Sequence, residues 1–241
     1  MNGEPGGLES IRWGEKGTFR ITLQIETTGA MGPYLNLSKG ANRIGIELCS
    51  ALLAIEDLPS NLPKELREYL EKTEVCRIID GIMGKGASTL TMKSTVKIGT
   101  WNGGLKVNMI PSFAEIQLDI RLPVGTQKEQ VLAKINQVLV DFPEVSLEVQ
   151  EAASNPSNLS PKDHHLVSCI AKQVKSIANK EPVMIPGLGA TDAKHWRYAG
   201  VPAYTYGLSP MTMASTSERV PIKDYLFLIS IYVLSLYDYL S

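Results

Sequence analysis

From Thr18 to Glu26 every second residue is apolar. Phe19, Ile21, Leu23 and Ile25 alternate with Arg20, Thr22, Gln24 and Glu26. A period of two puts one set of side chains on each face of a strand, so this segment reads as a strand with one buried face. The same pattern returns at Ile116, Leu118, Ile120 and Leu122, set against Glu115, Gln117, Asp119 and Arg121. The segments around these two strands carry the helical period. Ile44, Leu48, Leu52 and Ile55 recur at helical spacing until Pro59 stops the run. Thr126 is placed to cap a second helix, which carries Val131, Ile135, Val138 and Leu139. Leu90, Met92, Val96 and Ile98 predict a further strand, with Asn102-Gly103-Gly104 as the turn of a hairpin, and Val145–Val149 predicts a last strand. The order β-α-β-β-α-β over residues 17–151 is the ferredoxin-like arrangement, a helix pair on one face of an antiparallel sheet. Within it, Lys64–Lys72 reads as a short surface helix.

Ser, Asn and Pro crowd together from Ala152 to Pro161, which marks a domain boundary. Beyond it the pattern gives a helix (Leu166, Ile170, Val174, Ile177), a strand near Val183 and a glycine loop. A helix near Asp192–Ala199, a strand at Pro202–Tyr206 and a long final helix follow. The residues before Thr18 are too few for a domain of their own. The expected fold class is therefore α/β with an α+β insertion. Residues 1–16 and 152–241 form a partial α/β body, and 17–151 form the ferredoxin-like unit inserted into it.

Composition narrows the function classes. A formal net charge of -1 over 241 residues offers no electrostatic footprint for nucleic acid or an anionic membrane. The longest apolar run, Tyr225–Tyr237, is 13 residues with two serines, too short to cross a bilayer, and predicts a buried C-terminal helix. The first residues, MNGEPGGLES, lack the basic and apolar regions of a signal peptide. The 3 cysteines, Cys49, Cys76 and Cys169, are widely spaced and form neither a disulfide framework nor a CxxC site, which fits a reduced, cytoplasmic protein.

Motifs for chemistry are sparse. Gly187-Leu-Gly-Ala-Thr-Asp192 is a glycine loop entering a helix. It reads either as a weak nucleotide-binding loop or as a plain strand-to-helix turn capped by Asp192. His164, His165 and His195 lack the HxxxH or HExxH spacing of a metal site and fit surface or capping roles. No GxSxG is present to support nucleophilic catalysis.

Four segments together resemble the M20 metallopeptidases and deacylases. They are Gly3-Glu4-Pro5 with Gly14-Glu-Lys-Gly17; Val107-Asn108-Met-Ile-Pro111 running into Leu118-Asp119-Ile-Arg121-Leu122-Pro123; Gly189-Ala-Thr191-Asp192-Ala-Lys194 with Gly200-Val-Pro202; and Ser217-Glu218-Arg219-Val220. The resemblance implies a two-zinc amide hydrolase whose inserted lid binds substrate and dimerises, so a homodimer through the lid is expected. It implies Glu4 as a metal ligand and Asn108, Thr191, Asp192 and Lys194 as substrate-binding residues. It also shows departures. The family's His-x-Asp motif, bridging aspartate and adjacent glutamates have no counterpart in these residues. The position of the last histidine ligand is Ala214, that of the lid histidine is Met31, and Lys194 stands where arginine is usual. Such a chain is expected to be a truncated homologue, inactive alone and without catalytic residues of its own. Three alternatives follow: a non-catalytic dimerising or small-molecule-binding module, a subunit completed by a separate N-terminal chain, and a nucleotide-binding protein using the glycine loop. No nucleic-acid or membrane partner is expected.

Overall fold

A computed structural model describes all 241 residues. In chain order the strands are β1 (Ser10–Glu15), β2 (Gly17–Glu26), β3 (Ala30–Met31), β4 (Thr95–Gly103), β5 (Met109–Ile110), β6 (Phe113–Leu122), β7 (Val145–Val149), β8 (Asn158–Leu159) and β9 (Val183–Gly187). The α-helices are α1 (Ala41–Leu52), α2 (Lys64–Leu70), α3 (Thr73–Met83), α4 (Ala87–Thr91), α5 (Lys128–Leu139), α6 (His165–Ala178), α7 (Ala193–Tyr198) and α8 (Ile222–Leu240). Two compact units result. The first comprises residues 1–16, 62–92 and 158–241, and the second comprises 17–61 and 93–157. Residues 62–92, inside the span expected for the insertion, belong to the first unit.

The second unit is the ferredoxin-like fold. Its sheet runs β4-β6-β2-β7, and every neighbouring pair is antiparallel. The two strongly alternating segments are the inner strands. Their register sets Leu23 beside Ile116 and Ile21 beside Leu118, which joins the apolar residues of both strands into one face. Ile44, Leu48 and Leu52 of α1 and Val131 and Ile135 of α5 close that face into a core. Three details differ from expectation. Leu90 lies in α4 and Met92 is its C-cap, so the strand begins only at Thr95. The competing interaction is local: Asp80 Oδ1 accepts the Ser88 N–H at 2.8 Å and anchors the first turn of α4. Gly103 pairs with Ala114, so a loop of residues 104–112 replaces the tight hairpin, and β5 within it pairs with β3. The cap of α5 is Gln127, which forms a capping box with Gln130, while Thr126 is buried with its hydroxyl unpartnered.

The first unit is built on β1, which is buried over all 6 residues. It lies between β8, antiparallel, and β9, parallel. Residues 202–206, expected as a strand, make only isolated bridges from Thr205 to Asn2 and Arg12. Trp13, Ile11, Tyr204 and Tyr206 fill the interior. Helix α6 packs on α8, and Asp238 ties the two together through Lys172 at 2.8 Å and Gln173 at 2.6 Å. Helix α8 is not the buried helix expected. It is apolar on all sides, yet only Ile231 and Ser235 are buried. Tyr225, Leu226, Ile229, Val233, Leu236 and Tyr237 are exposed. No helix is long and apolar enough to cross a membrane.

The buried tyrosines make a pH prediction. Their hydroxyls all donate to backbone carbonyls: Tyr204 to Pro161, Tyr206 to Leu8 and Tyr232 to Tyr206. Burial pushes Tyr204 up to about 12, with Asp163 adding to the shift, and burial alone pushes Tyr232 up to about 12, from an ordinary value of 10.0. The folded protein thus holds these protons more tightly than the unfolded chain does. Their contribution to stability is intact below about pH 10 and is lost as pH rises towards about 12. Burial raises Tyr206 too, so denaturation midpoints that fall less steeply across that window in a Tyr204→Phe, Tyr232→Phe variant than in the parent are the expected result.

Candidate functional site

The segment 1–6 is held against 204–207. Asn2 N–H donates to Tyr204 O at 2.8 Å, and Tyr206 N–H donates to Asn2 O at 3.1 Å. Residue 207 must be glycine, because a Cβ there would overlap the Glu4 carbonyl oxygen. This close packing fixes Glu4 on the wall of a cavity of about 380 Å³ in the first unit. Arg12, Gly189 and Thr191 line its polar side, and Ile82, Leu188, Met211 and Met213 are among its apolar walls.

Behind the cavity lies a buried charge network. Glu15 Oε2 accepts from the Thr191 hydroxyl at 2.8 Å and faces Arg197 Nη1 at 3.3 Å, and both charged side chains are only 2% exposed. Arg197 also donates through Nε to Ala203 O at 2.8 Å and through Nη1 to Asn158 Oδ1 at 2.8 Å. Burial pulls the Arg197 guanidinium below its ordinary value, and Glu15 partly offsets this. Arg12 is pulled down the same way, with Glu15 and then Glu4 opposing the shift. Arg12 Nε, however, has no hydrogen-bond partner.

The sequence-derived residues separate into groups. Glu4 and Thr191 share the cavity, whereas Asp192 and Lys194 do not line it. Asp192 sits at the N-cap of α7 without a side-chain cap bond. The Ala193 N–H is taken instead by the Thr191 hydroxyl at 3.2 Å, so the capping assigned to Asp192 falls to its neighbour. Ala214 has a left-handed backbone (φ 59°), and its N–H donates to Glu218 Oε2 at 3.1 Å, which engages that glutamate in its own loop. His164 caps α6, its Nδ1 accepting the Leu166 N–H at 3.2 Å. In the second unit, Asn108 O accepts the Gly32 N–H at 2.8 Å, and Met31 pairs with Met109 across the β3–β5 ladder. The loops carrying Met31 and Asn108 are thus side by side. Arg12, Glu15, Asn158 and Arg197 were missed. The available signal was the alternation of Ile11 and Trp13 with charged and small neighbours, a short strand pattern obscured by Arg12, Glu15 and Lys16.

Residues 14–144 match the sequence profile of the peptidase dimerisation domain of the M20 family. The chain belongs to the M20 peptidase family. The M20 chain is 22% identical over 237 residues to the N-fatty-acyl-amino acid synthase/hydrolase PM20D1 of Bos taurus, covering 88% of itself and 47% of that protein. It is 29% identical over 131 residues to the succinyl-diaminopimelate desuccinylase of Magnetococcus marinus, covering 54% of itself and 34% of that enzyme. Among solved structures it resembles the M20 family metallo-carboxypeptidase Sso-CP2 of Sulfolobus solfataricus, with a TM-score of 0.76 at 18% identity. That match covers 97% of this chain and 62% of the other. The M20 chain therefore spans about half or less of the length of the curated relatives it matches.

M20 proteins are metallopeptidases, so the surroundings of Glu4 have to be judged as a donor set. No 3 His, Cys, Asp or Glu side chains converge in the M20 chain to hold an ion. The cavity beside Glu4 offers a guanidinium, a hydroxyl already bonded to Glu15, and methionine and aliphatic walls. A two-metal centre requires three or four protein donors per ion, partly shared. The residues present do not fit one.

Proposed function

We propose that this chain is an M20-type amide hydrolase homologue, of the peptidase and N-acyl amino acid deacylase kind, that does not hydrolyse amides as a lone chain. The observation that carries this reading is the donor set. Glu4 stands in its cavity without two further ligating side chains, and the position of the expected histidine is Ala214, whose methyl group cannot bind zinc. In this reading Glu4 is the remaining residue of a zinc-pair site that these residues alone do not retain. Asn108, Thr191, Asp192 and Lys194 form the substrate side. The second unit, 17–61 with 93–157, is the lid and the contact between two copies, and the first unit, 1–16 with 62–92 and 158–241, is the partial catalytic body. The chain acts in the cytoplasm as a homodimer. The exposed apolar side of α8 favours one variant of this reading, a subunit completed by a separate polypeptide that supplies the other ligands and covers that surface.

The test is a hydrolysis assay on the purified chain with added zinc, using N-acetyl amino acids and dipeptides, alongside light scattering. The expected result is no turnover above buffer and a mass of at least two chains. Zinc-dependent turnover would defeat the inactive reading, and a monomeric mass would defeat the dimer.

A further inference from the structure

The outer side of α8 carries a repeat that packing within the chain leaves unused. Ile222, Leu226, Ile229, Val233, Leu236 and Leu240 follow one another at alternating steps of four and three residues. That is the spacing of a heptad seam, with Leu226, Val233 and Leu240 at the a positions and Ile222, Ile229 and Leu236 at the d positions. All six are between 42% and 80% exposed. The two buried residues of the helix, Ile231 and Ser235, lie on the opposite side, together with Asp238, which bonds Lys172 and Gln173 of α6. Packing on α6 therefore uses one face, and the apolar row meets solvent along about 27 Å of helix. An aliphatic row in water is not needed to hold α8 in place, and its period is that of a helix pair.

We propose that this seam pairs with the same seam of a second copy, as an antiparallel two-helix contact separate from any contact made by the second unit. An isologous contact needs a surface complementary to itself. In an antiparallel pair each a position meets a d position, so 222 meets 240, 226 meets 236 and 229 meets 233, and all six aliphatic side chains find an aliphatic partner. Lys223, Asp224 and Asp238 are the only charged residues of α8, and none lies on the row, so two copies meet without like-charge repulsion. The antiparallel sense also sets Lys223, at the N-terminal end, beside the negative C-terminal end of the facing helix, whereas a parallel pair would bring equal ends together. The row, with Tyr225 and Tyr237 on its flanks, exposes on the order of 800 Å² per copy, the share each partner gives to a stable interface. A copy supplies the matching uncharged row by identity. The helix is already formed and held on α6, so pairing needs no helix nucleation.

The experiment is light scattering on the purified full chain and on two double variants at positions that face each other across the antiparallel pair. Leu226→Glu with Leu236→Glu sets like charges in contact and is expected to halve the mass. Leu226→Glu with Leu236→Lys sets opposite charges in contact in the antiparallel sense only, and is expected to recover the parent mass. Both side chains are exposed, so the circular dichroism of each variant should match the parent's. A second measurement needs no charge on the row. Oxidising a mixture of Ile229→Cys and Val233→Cys copies, each also carrying Cys76→Ser, is expected to give mixed disulfide dimers, while either form alone gives few. A parent mass of one chain, a mass unchanged by the two glutamates, failure of the charge-swapped pair to recover the parent mass, or crosslinks as abundant in either cysteine form alone would overturn the proposal. An unchanged mass is also the result if a separate polypeptide is what the seam receives. A fall from four chains to two supports this seam and leaves the contact of the second unit standing, and a fall from two to one supports this seam and sinks that contact.

Discussion

Replacing Glu15 by alanine is expected to destabilise the first unit by about 3–5 kcal/mol, the cost of leaving a buried partner charge uncompensated. Glu15 is 2% exposed and is the acceptor for Arg197 and Thr191. Its loss leaves the Arg197 guanidinium, also 2% exposed, in an interior that already disfavours its charge. The negative field that offsets the burial of Arg12 disappears at the same time. The substitution therefore strands Arg197 and leaves Arg12 with the weaker compensation of Glu4 alone. A control separates charge from packing: in a Glu15→Leu, Arg197→Met pair both charges go together, and the combined loss should be smaller than that of Glu15→Ala alone. Trp13, 2% exposed on the same strand, reports the transition by fluorescence in urea once Trp101 and Trp196 are replaced by phenylalanine. A change below about 1 kcal/mol would place this pair with surface ion pairs and refute the network as a structural element.

Leu23→Ala is expected to cost about 2–5 kcal/mol in the second unit, the range for emptying a well-packed aliphatic site. Leu23 is fully buried at the centre of an inner strand, beside Ile116 on one side and Leu147 on the other. The cavity cannot close easily, because both neighbouring strands are pinned in register. Gln24→Ala, one residue along and half-buried, sits on the opposite face and should cost far less. Amide exchange across β2, β6 and β7 checks both. Equal effects at 23 and 24 would mean that the alternation does not mark the buried face.

These two predictions draw on parts of the molecule that differ in how plainly the sequence displays them. The second unit was legible because its inner strands repeat with period two and its helices with a different period. Phe19 through Ile25 and Ile116 through Leu122 leave only one way to bury a face. The edges were harder. Leu90 and Met92 fit a strand by pattern, but the Asp80 side chain gives α4 a local start that no alternation reveals. In the first unit Glu4 and Thr191, both singled out from the sequence, line one cavity, and Arg12 on the same cavity was not singled out. Its charge argued for solvent, and only the long-range contacts of β1 with β8, β9 and Thr205 bury it. Helix α8 was misjudged in the other direction. Its apolar composition argued for burial, but burial depends on what lies opposite, and α6 covers one side alone.

The path of the chain between the units has a consequence for how the protein is made. The chain leaves the first unit after residue 16, returns for 62–92, leaves again, and returns for good at 158. Neither unit is contiguous in the sequence: the second is interrupted by 62–92, and the first is made of three separate segments. On the ribosome, β1 emerges early, but its parallel partner β9 follows about 170 residues later, so its buried charges wait in water until synthesis is nearly complete. The second unit closes first, once β7 has been made. Such non-local pairing makes the first unit the slower to fold, and its unpaired early strand the segment most in need of protection during synthesis.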